Sequence, residues 1–313
     1  MVQHFLKFSD IAPGEIQPLI DRSIDLKSGT TSNALAGASV VLLFEKPSLR
    51  TKLSFWIGTG KLGGMPLYFG PEEVGLGKRE PVQDVAEVIS RMADIAVVRT
   101  FAQSTIEEFA SAATIPVINA LTDGEHPCQA LADVQTVTEQ LGSVEGASVA
   151  FVGDGNNTAA SLAYAVAGLG GRLTLASPGG YELSAKVLEG ANAYGSSSGG
   201  SVKQTTYPQD AVSGVDIVYT DVWTGMGQED EAARRLAAFD GYQVNPAMLD
   251  IASPNVKFMH DLPAHPGEEI SDGLLHDPRS VVFDQAENRL WAQAALMEKL
   301  IQWEDYGLVQ WIT

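Results

Sequence analysis

The chain has 313 residues, 45% of them hydrophobic and 19% charged, a globular composition long enough for two α/β domains with separate cores. A net charge of −19, from 39 acidic and 20 basic residues, argues against nucleic-acid or anionic-membrane partners, because phosphate neutralisation needs clustered Lys and Arg. No window reaches the roughly 18 apolar residues of a membrane span, the N-terminus "MVQHFLKFSDIAPGEI" has no signal-like apolar run, and a single cysteine, Cys128, excludes an intrachain disulfide, so a cytoplasmic protein is expected.

In chain order, "SDIAPGEIQPLIDRSIDLKSG" has apolar spacing of three and four and predicts a helix capped by Ser9 or Asp10. "ASVVLLF" predicts a buried strand, and a Lys-Pro-Ser turn then leads into a helix beginning near Arg50. "PVQDVAEVISRMA" predicts a helix with Pro81 in its first turn. "DIAVVRTF" and "IPVINAL" are short β-branched runs separated by the helical "STIEEFASAA". "HPCQALADVQTVTEQLG" reads as one longer helix ending at Gly142. The alternation restarts with "ASVAFVGDG", "NTAASLAYAVAGLGG", "RLTLASP", "LSAKVLEGANAYG", "TTYPQDAVSGV" and "DIVYTDVW", and "GSSSGG" reads as a helix-to-strand loop. "QAENRLWAQAALMEKLI" predicts a C-terminal helix. This βαβ grammar predicts an α/β protein of two doubly wound parallel-sheet domains joined by interdomain helices, with a boundary near residues 135–147.

The basic residues are unevenly placed. Residues 46–99 hold eight of them against six acids, net +2, which leaves −21 on the remainder. A locally positive region on an acidic body suits a small anion in a cleft. Within it, "KPSLRT" puts up to four backbone N–H groups, Ser48 to Thr51, at a helix start beside the forked Arg50. A capped helix with a solvated Arg50 fits the same residues. "HPCQ" sets His126 and Gln129 on one helical face after a strand, and Arg99 follows another strand. Open α/β sheets bind ligands at such strand ends. "FVGDGNN" falls short of a dinucleotide fingerprint because Thr158 stands where the last Gly is needed; Asn156 and Asn157 suit a polar small molecule instead. Asp221 ends a strand ahead of the Gly225-Met226-Gly227 loop, "FMHDLPAH" brings His260 and Asp261 after another apolar run, and "AENR" supplies Arg289. His260, Asp261 and His265 are conceivable metal ligands, but no H-x-x-x-H or Cys pair supports them and no metal is expected.

Taken in order, S-x-R-T, Arg99, H-P-x-Q, "VGDGNN", D-V-W-x-x-M-G-Q-E, H-x-L-P-A and "AENR" resemble the aspartate/ornithine carbamoyltransferase family, on the side of its ornithine branch, over nearly the whole chain. The resemblance implies a carbamoyl-phosphate domain over 1–140, completed by a C-terminal helix 286–313, and an ornithine or amine domain over 141–285. It implies carbamoyl transfer from carbamoyl phosphate to the side-chain amine of L-ornithine, giving citrulline and phosphate in arginine metabolism. A homotrimer with shared active sites and no cofactor is also implied. Position by position, Ser48, Leu49, Arg50, Thr51, Arg99, His126, Gln129, Arg289 and the Leu262 carbonyl, before an expected cis Pro263, fall on carbamoyl-phosphate positions. Asn157, Asp221, Gly225, Met226 and Asp261 fall on ornithine positions, with Arg99, His126, Asp221 and Asp261 as the catalytic set. The "GLGKRE" loop, 75–80, falls where a neighbouring subunit's site is completed.

Four positions depart from the ornithine pattern. Leu49 stands for a Thr, Gly225 for the Ser of S-M-G, Asp261 for the Cys of H-C-L-P, and Pro266 for an Arg. Asp261 would add a carboxylate beside Asp221, and close carboxylates share a proton or attract a cation. A different amine, such as putrescine or a modified ornithine, and a non-catalytic carbamoyl-phosphate-binding paralogue are the alternatives this leaves open.

Overall fold

The computed structural model describes residues 2–225 and 227–309, with side chains described as far as residue 302. The chain forms two compact units, Met1–Gln135 with Glu287–Thr313, and Thr136–Ala286.

In the first unit a 3-10 turn at Phe8–Asp10 comes first, and Asp10 Oδ2 accepts the N–H groups of Leu6 and Lys7 at 2.7 and 2.8 Å. The expected helix follows as α1 (Pro13–Lys27), but its N-cap is Ala12, not Ser9 or Asp10. Asp10 spends its carboxylate on the preceding turn, and Pro13 opens the helix because its first position needs no N–H donor. Next come β1 (Ser39–Phe44), α2 (Leu49–Lys61), β2 (Met65–Phe69), α3 (Val82–Ser90), β3 (Ile95–Arg99), α4 (Gln103–Ala112), β4 (Val117–Leu121) and α5 (Pro127–Leu141). The sheet is wholly parallel in the order β2-β1-β3-β4. Val41, Leu43, Val98, Ile106 and Phe109 pack in one of its buried cores. The strand order reverses between β1 and β3, so the loops leaving these strands open a crevice at their carboxyl ends.

β2 has no counterpart among the sequence-based expectations. Pro66 cannot donate to a ladder and argues against a central strand; β2 lies at the sheet edge, where Pro is tolerated.

The second unit contains β5 (Ser148–Val152), α6 (Asn157–Gly168), β6 (Arg172–Ala176), α7 (Ala185–Tyr194), β7 (Ser201–Thr205), α8 (Pro208–Val212), β8 (Ile217–Thr220), α9 (Ala232–Ala238), α10 (Pro246–Leu249) and β9 (Lys257–His260). The chain then enters α11 (Val282–Val309), and the division between units falls inside α5 and α11. Five parallel strands run in the order β7-β6-β5-β8-β9 and reverse between β5 and β8. Val152, Val218, Phe258, Trp223 and Phe239 are buried in its core. "GSSSGG" does connect a helix to a strand, with a 3-10 turn at Gly195–Ser197 leading to β7. Both sheets are doubly wound, as the βαβ alternation predicts. Among the described residues no helix is long and apolar enough to cross a membrane.

Candidate active site

In the first unit the polar residues singled out in the sequence converge at the carboxyl ends of β1, β3 and β4. Ser48 is the N-cap of α2, its Oγ accepting the Thr51 N–H at 3.3 Å. The cap leaves the first backbone N–H groups of α2 without intrahelical acceptors, at the positive end of the helix dipole. Thr51 is fully buried; its Oγ1 lies 3.0 Å from Ser48 Oγ and accepts from Arg289 Nη2 at 2.5 Å. Arg289 therefore reaches from α11 to the start of α2 within the same unit. Arg99, at the last position of β3, and His126, just before α5, are both buried.

The electrostatics of His126 report how closely these groups gather. Burial first, then the guanidinium groups of Arg289, Arg99 and Arg50, hold its imidazole well below the usual histidine range. His126 is neutral at pH 7, because a fourth positive charge in this pocket is opposed by the other three. Gln129, one helical turn on, is fully buried; its Nε2 donates to Asp133 Oδ1 at 2.8 Å, and its Oε1 has no hydrogen-bond partner among the described residues. Three guanidinium groups and a helix N-terminus so gathered favour a small anion.

Two residues of the basic window stand apart. Lys46 is buried, ion-pairs with Asp123 and lies 4.4 Å from the centre of the Phe101 ring. Lys52 lies 3.6 Å from the centre of the Tyr68 ring. Leu49 is 77% exposed, so its side chain contributes nothing to a cradle, and only its N–H is placed there. Residues 75–80 close a small loop in which Gly77 N–H donates to the Glu80 carbonyl at 3.0 Å.

In the second unit the carboxyl ends of β5, β8 and β9 carry the remaining residues. Asp221 is held from two sides: Val222 N–H donates to Oδ1 and Asn156 Nδ2 to Oδ2, each at 2.7 Å. Asn156 also caps α6 by accepting the Ala159 N–H at 3.0 Å. Asn157 occupies the first helical position. Asp261 Oδ2 accepts from Thr158 Oγ1 at 3.3 Å, and one oxygen each of Asp221 and Asp261 and a nitrogen of His260 lie within 4.8 Å of one another. Two carboxylates so placed favour a cationic ligand.

His260 is the fully buried centre of the β9 turn. Leu262 N–H donates to its Nδ1 at 2.9 Å, so the neutral ring carries its proton on Nε2 and donates to Glu269 Oε1 at 3.1 Å. With both nitrogens engaged in this way, the ring has no lone pair to offer a metal. His265 belongs to a separate group with Glu268 and Glu269. The Leu262–Pro263 peptide is cis, as the family resemblance implies, and Leu262 itself has φ +59°. A non-glycine residue in that region costs about 1–2 kcal/mol and persists only where its surroundings hold it.

The loop after Asp221 is pinned by Arg235, which sequence reasoning passed over. Its Nη1 donates to the Trp223 carbonyl at 2.9 Å and to Asp154 Oδ2 at 2.7 Å, and its Nε to Glu231 at 3.2 Å. Trp223 stacks on Phe239 with centroids 5.3 Å apart. Gly225 N–H donates to Gln228 Oε1 at 3.0 Å, while Met226 lies outside the described residues. The glycine in "GDG" also finds its reason here: a Cβ on Gly155 would stand 2.4 Å from Leu183 N and 2.5 Å from Glu182 C. Close approach of its own backbone, rather than of a cofactor, requires that glycine.

One α/β unit thus gathers guanidinium groups at a helix N-terminus and the other pairs two carboxylates at its strand ends, the layout of a transferase that handles an anionic and a cationic substrate. The chain belongs to the aspartate/ornithine carbamoyltransferase family. Its residues 3–139 match the family's carbamoyl-P binding domain and 145–300 its Asp/Orn binding domain. An anabolic ornithine carbamoyltransferase of Pseudomonas aeruginosa is 48% identical over 310 residues, 98% of this chain and 99% of that one. Ornithine carbamoyltransferase of Hydrogenovibrio crunogenus is 44% identical over 96% of this chain and 98% of its own. Among solved structures, ornithine carbamoyltransferase of Pyrococcus furiosus superposes with a TM-score of 0.90 at 42% identity, covering 94% of this chain and 96% of that one.

Proposed function

We propose that this protein transfers the carbamoyl group of carbamoyl phosphate to the side-chain amine of L-ornithine, releasing citrulline and phosphate, in the cytoplasm and in the anabolic direction. The observation that carries this reading is the gathering of Arg50, Arg99 and Arg289 around a neutral His126 beside a capped helix N-terminus.

In this reading the α2 N-terminus with Ser48, Thr51 and Arg50 holds the phosphate and accepts its charge as it leaves. Arg99, His126 and the Thr51 hydroxyl donate to the carbamoyl oxygen, whose charge grows as the tetrahedral intermediate forms. The Leu262 carbonyl receives the carbamoyl NH2, and Gln129 and Arg289 complete the positioning. Asn157, Gly225 and Met226 bind the amino-acid end of ornithine, and Asp221 and Asp261 orient its side-chain amine. The proton shed by the amine leaves on phosphate or water. Steady-state assay of citrulline from carbamoyl phosphate and ornithine tests the reading, with Arg50→Ala as control. Robust turnover is expected in the parent, and carbamoyl-phosphate affinity at least 100-fold weaker in the variant. An unchanged affinity in Arg50→Ala, or turnover only with putrescine or a modified ornithine, would overturn it.

The same reading includes a homotrimer. On α2, Leu49, Leu53, Trp56 and Ile57 fall at helical spacing on one exposed face, and α2 packs beside the edge strand β2, whose Met65, Leu67 and Phe69 are exposed as well. An apolar surface continued along an open strand edge marks a contact between chains. Light scattering is expected to give three times the chain mass, and a monomer would refute the assembly.

A further inference from the structure

His260 lies outside the catalytic set, yet it is fully buried and both ring nitrogens are engaged. Its Nε2 faces Glu269, which is also fully buried and whose Oε1 accepts the His265 N–H at 2.5 Å. Its Nδ1 accepts the N–H of Leu262, the left-handed residue of the turn. The backbone N–H of His260 is itself fixed by Gln285 Oε1 at 2.9 Å. A histidine free to change tautomer would put a proton on Nδ1, facing the Leu262 N–H donor to donor. Glu269 prevents this by requiring the proton on Nε2.

We propose that the Glu269–His260 pair is a positioning device that fixes the imidazole tautomer and, through it, the Leu262 backbone in the turn that presents Asp261 and the Leu262 carbonyl. The claim rests on the proposed function only for its turnover readout.

Two substitutions separate this from simple filling of the core. Asparagine at 260 keeps an acceptor where Nδ1 stands but does not reach Glu269. Glutamine keeps a donor toward Glu269 but loses the Nδ1 acceptor. The measurements are hydrogen exchange of the Leu262 amide, followed by NMR on leucine-labelled protein, and kcat/KM for carbamoyl phosphate. Leu262 exchange is expected to stay slow in His260→Asn and to speed up at least tenfold in His260→Gln. The kcat/KM of His260→Gln is expected to fall at least tenfold below that of His260→Asn. Thermal stability should run the other way, since Gln fills more of the cavity and still satisfies Glu269. Equal protection of Leu262 in the two variants, or turnover of His260→Gln at or above that of His260→Asn, overturns the proposal.

Should either protein fail to fold, Glu269→Gln and Glu269→Met supply the same contrast. Gln retains an acceptor for Nε2–H and should stay within threefold of the parent in both measurements, whereas Met should show fast Leu262 exchange; identical behaviour of the two rejects the device. A parent enzyme that forms no citrulline would count against the proposed function, while the exchange comparison still decides the positioning claim.

Discussion

Asp221→Asn is expected to lower kcat/KM for ornithine by a factor on the order of 10³, about 4 kcal/mol, while the carbamoyl-phosphate dissociation constant stays within twofold. The amine explains the size of the effect. An alkyl ammonium like that of Lys has a pKa near 10.4, so using the free base at pH 7 costs about 4.6 kcal/mol, and a fixed carboxylate must hold the nitrogen in line to recover rate. Asp221 is suited to this because Val222 N–H and Asn156 Nδ2 immobilise both its oxygens.

The amide substitution does more than remove charge. It sets an NH2 against the Asn156 NH2, and Asn156 cannot rotate to relieve the clash because its oxygen caps α6. The exchanged pair Asn156→Asp with Asp221→Asn restores complementary hydrogen bonds and moves the charge to 156. Stability is therefore expected to return in the double variant and activity is not. Recovery of both would mean that Asp221 matters for folding and not for the amine. Asp261→Asn serves as the companion arm. Removing the second carboxylate lowers the pKa of the bound amine, so the acid limb of the kcat profile should shift to lower pH.

The strands and helices that carry the site were legible because period and punctuation agree: "SVVLLF" followed by Pro47 and Ser48, or "SVAFV" followed by Gly153 and Asn156, leave little choice. β2 was not, since Pro66 and a half-exposed alternation describe an edge strand only once its neighbour is known. Ser9 and Asp10 misled as caps because a short turn before the helix claims the same acceptor. Charged and polar residues at strand ends were readable one by one. That Asn156 holds Asp221 was not, because its side chain is aimed by the α6 cap, which only the folded unit sets. The Glu269–His260 pair spans nine residues and a turn and leaves no local signature. Arg235 was invisible for a similar reason: from within α9 it ties the Asp154 loop to the loop after β8, contacts that only the folded unit creates.

Replacing His126 by alanine is expected to lower kcat by about 10²–10³-fold, the loss typical of one donor to a developing oxyanion, with glutamine partly restoring it. The same change alters how stability depends on pH, and the sign follows from the direction of the shift. Burial and the three guanidinium groups hold the folded-state pKa well below 6.5, so between those two values the unfolded chain binds the proton and the native protein does not. Stability from this group is complete above about pH 6.5. It is then lost as pH falls toward the folded pKa, at up to about 1.4 kcal/mol per pH unit. Urea unfolding from pH 8 to pH 5 should therefore show a steeper acid-side decline in the parent than in His126→Ala. Part of the slope persists in the variant, because burial also lowers the pKa of His4. Equal slopes in the two proteins would mean that His126 is protonated in the native state. In that case it would meet the carbamoyl oxygen as a cation able to transfer a proton, and the neutral-donor role would be wrong even if the fall in kcat were as large as expected.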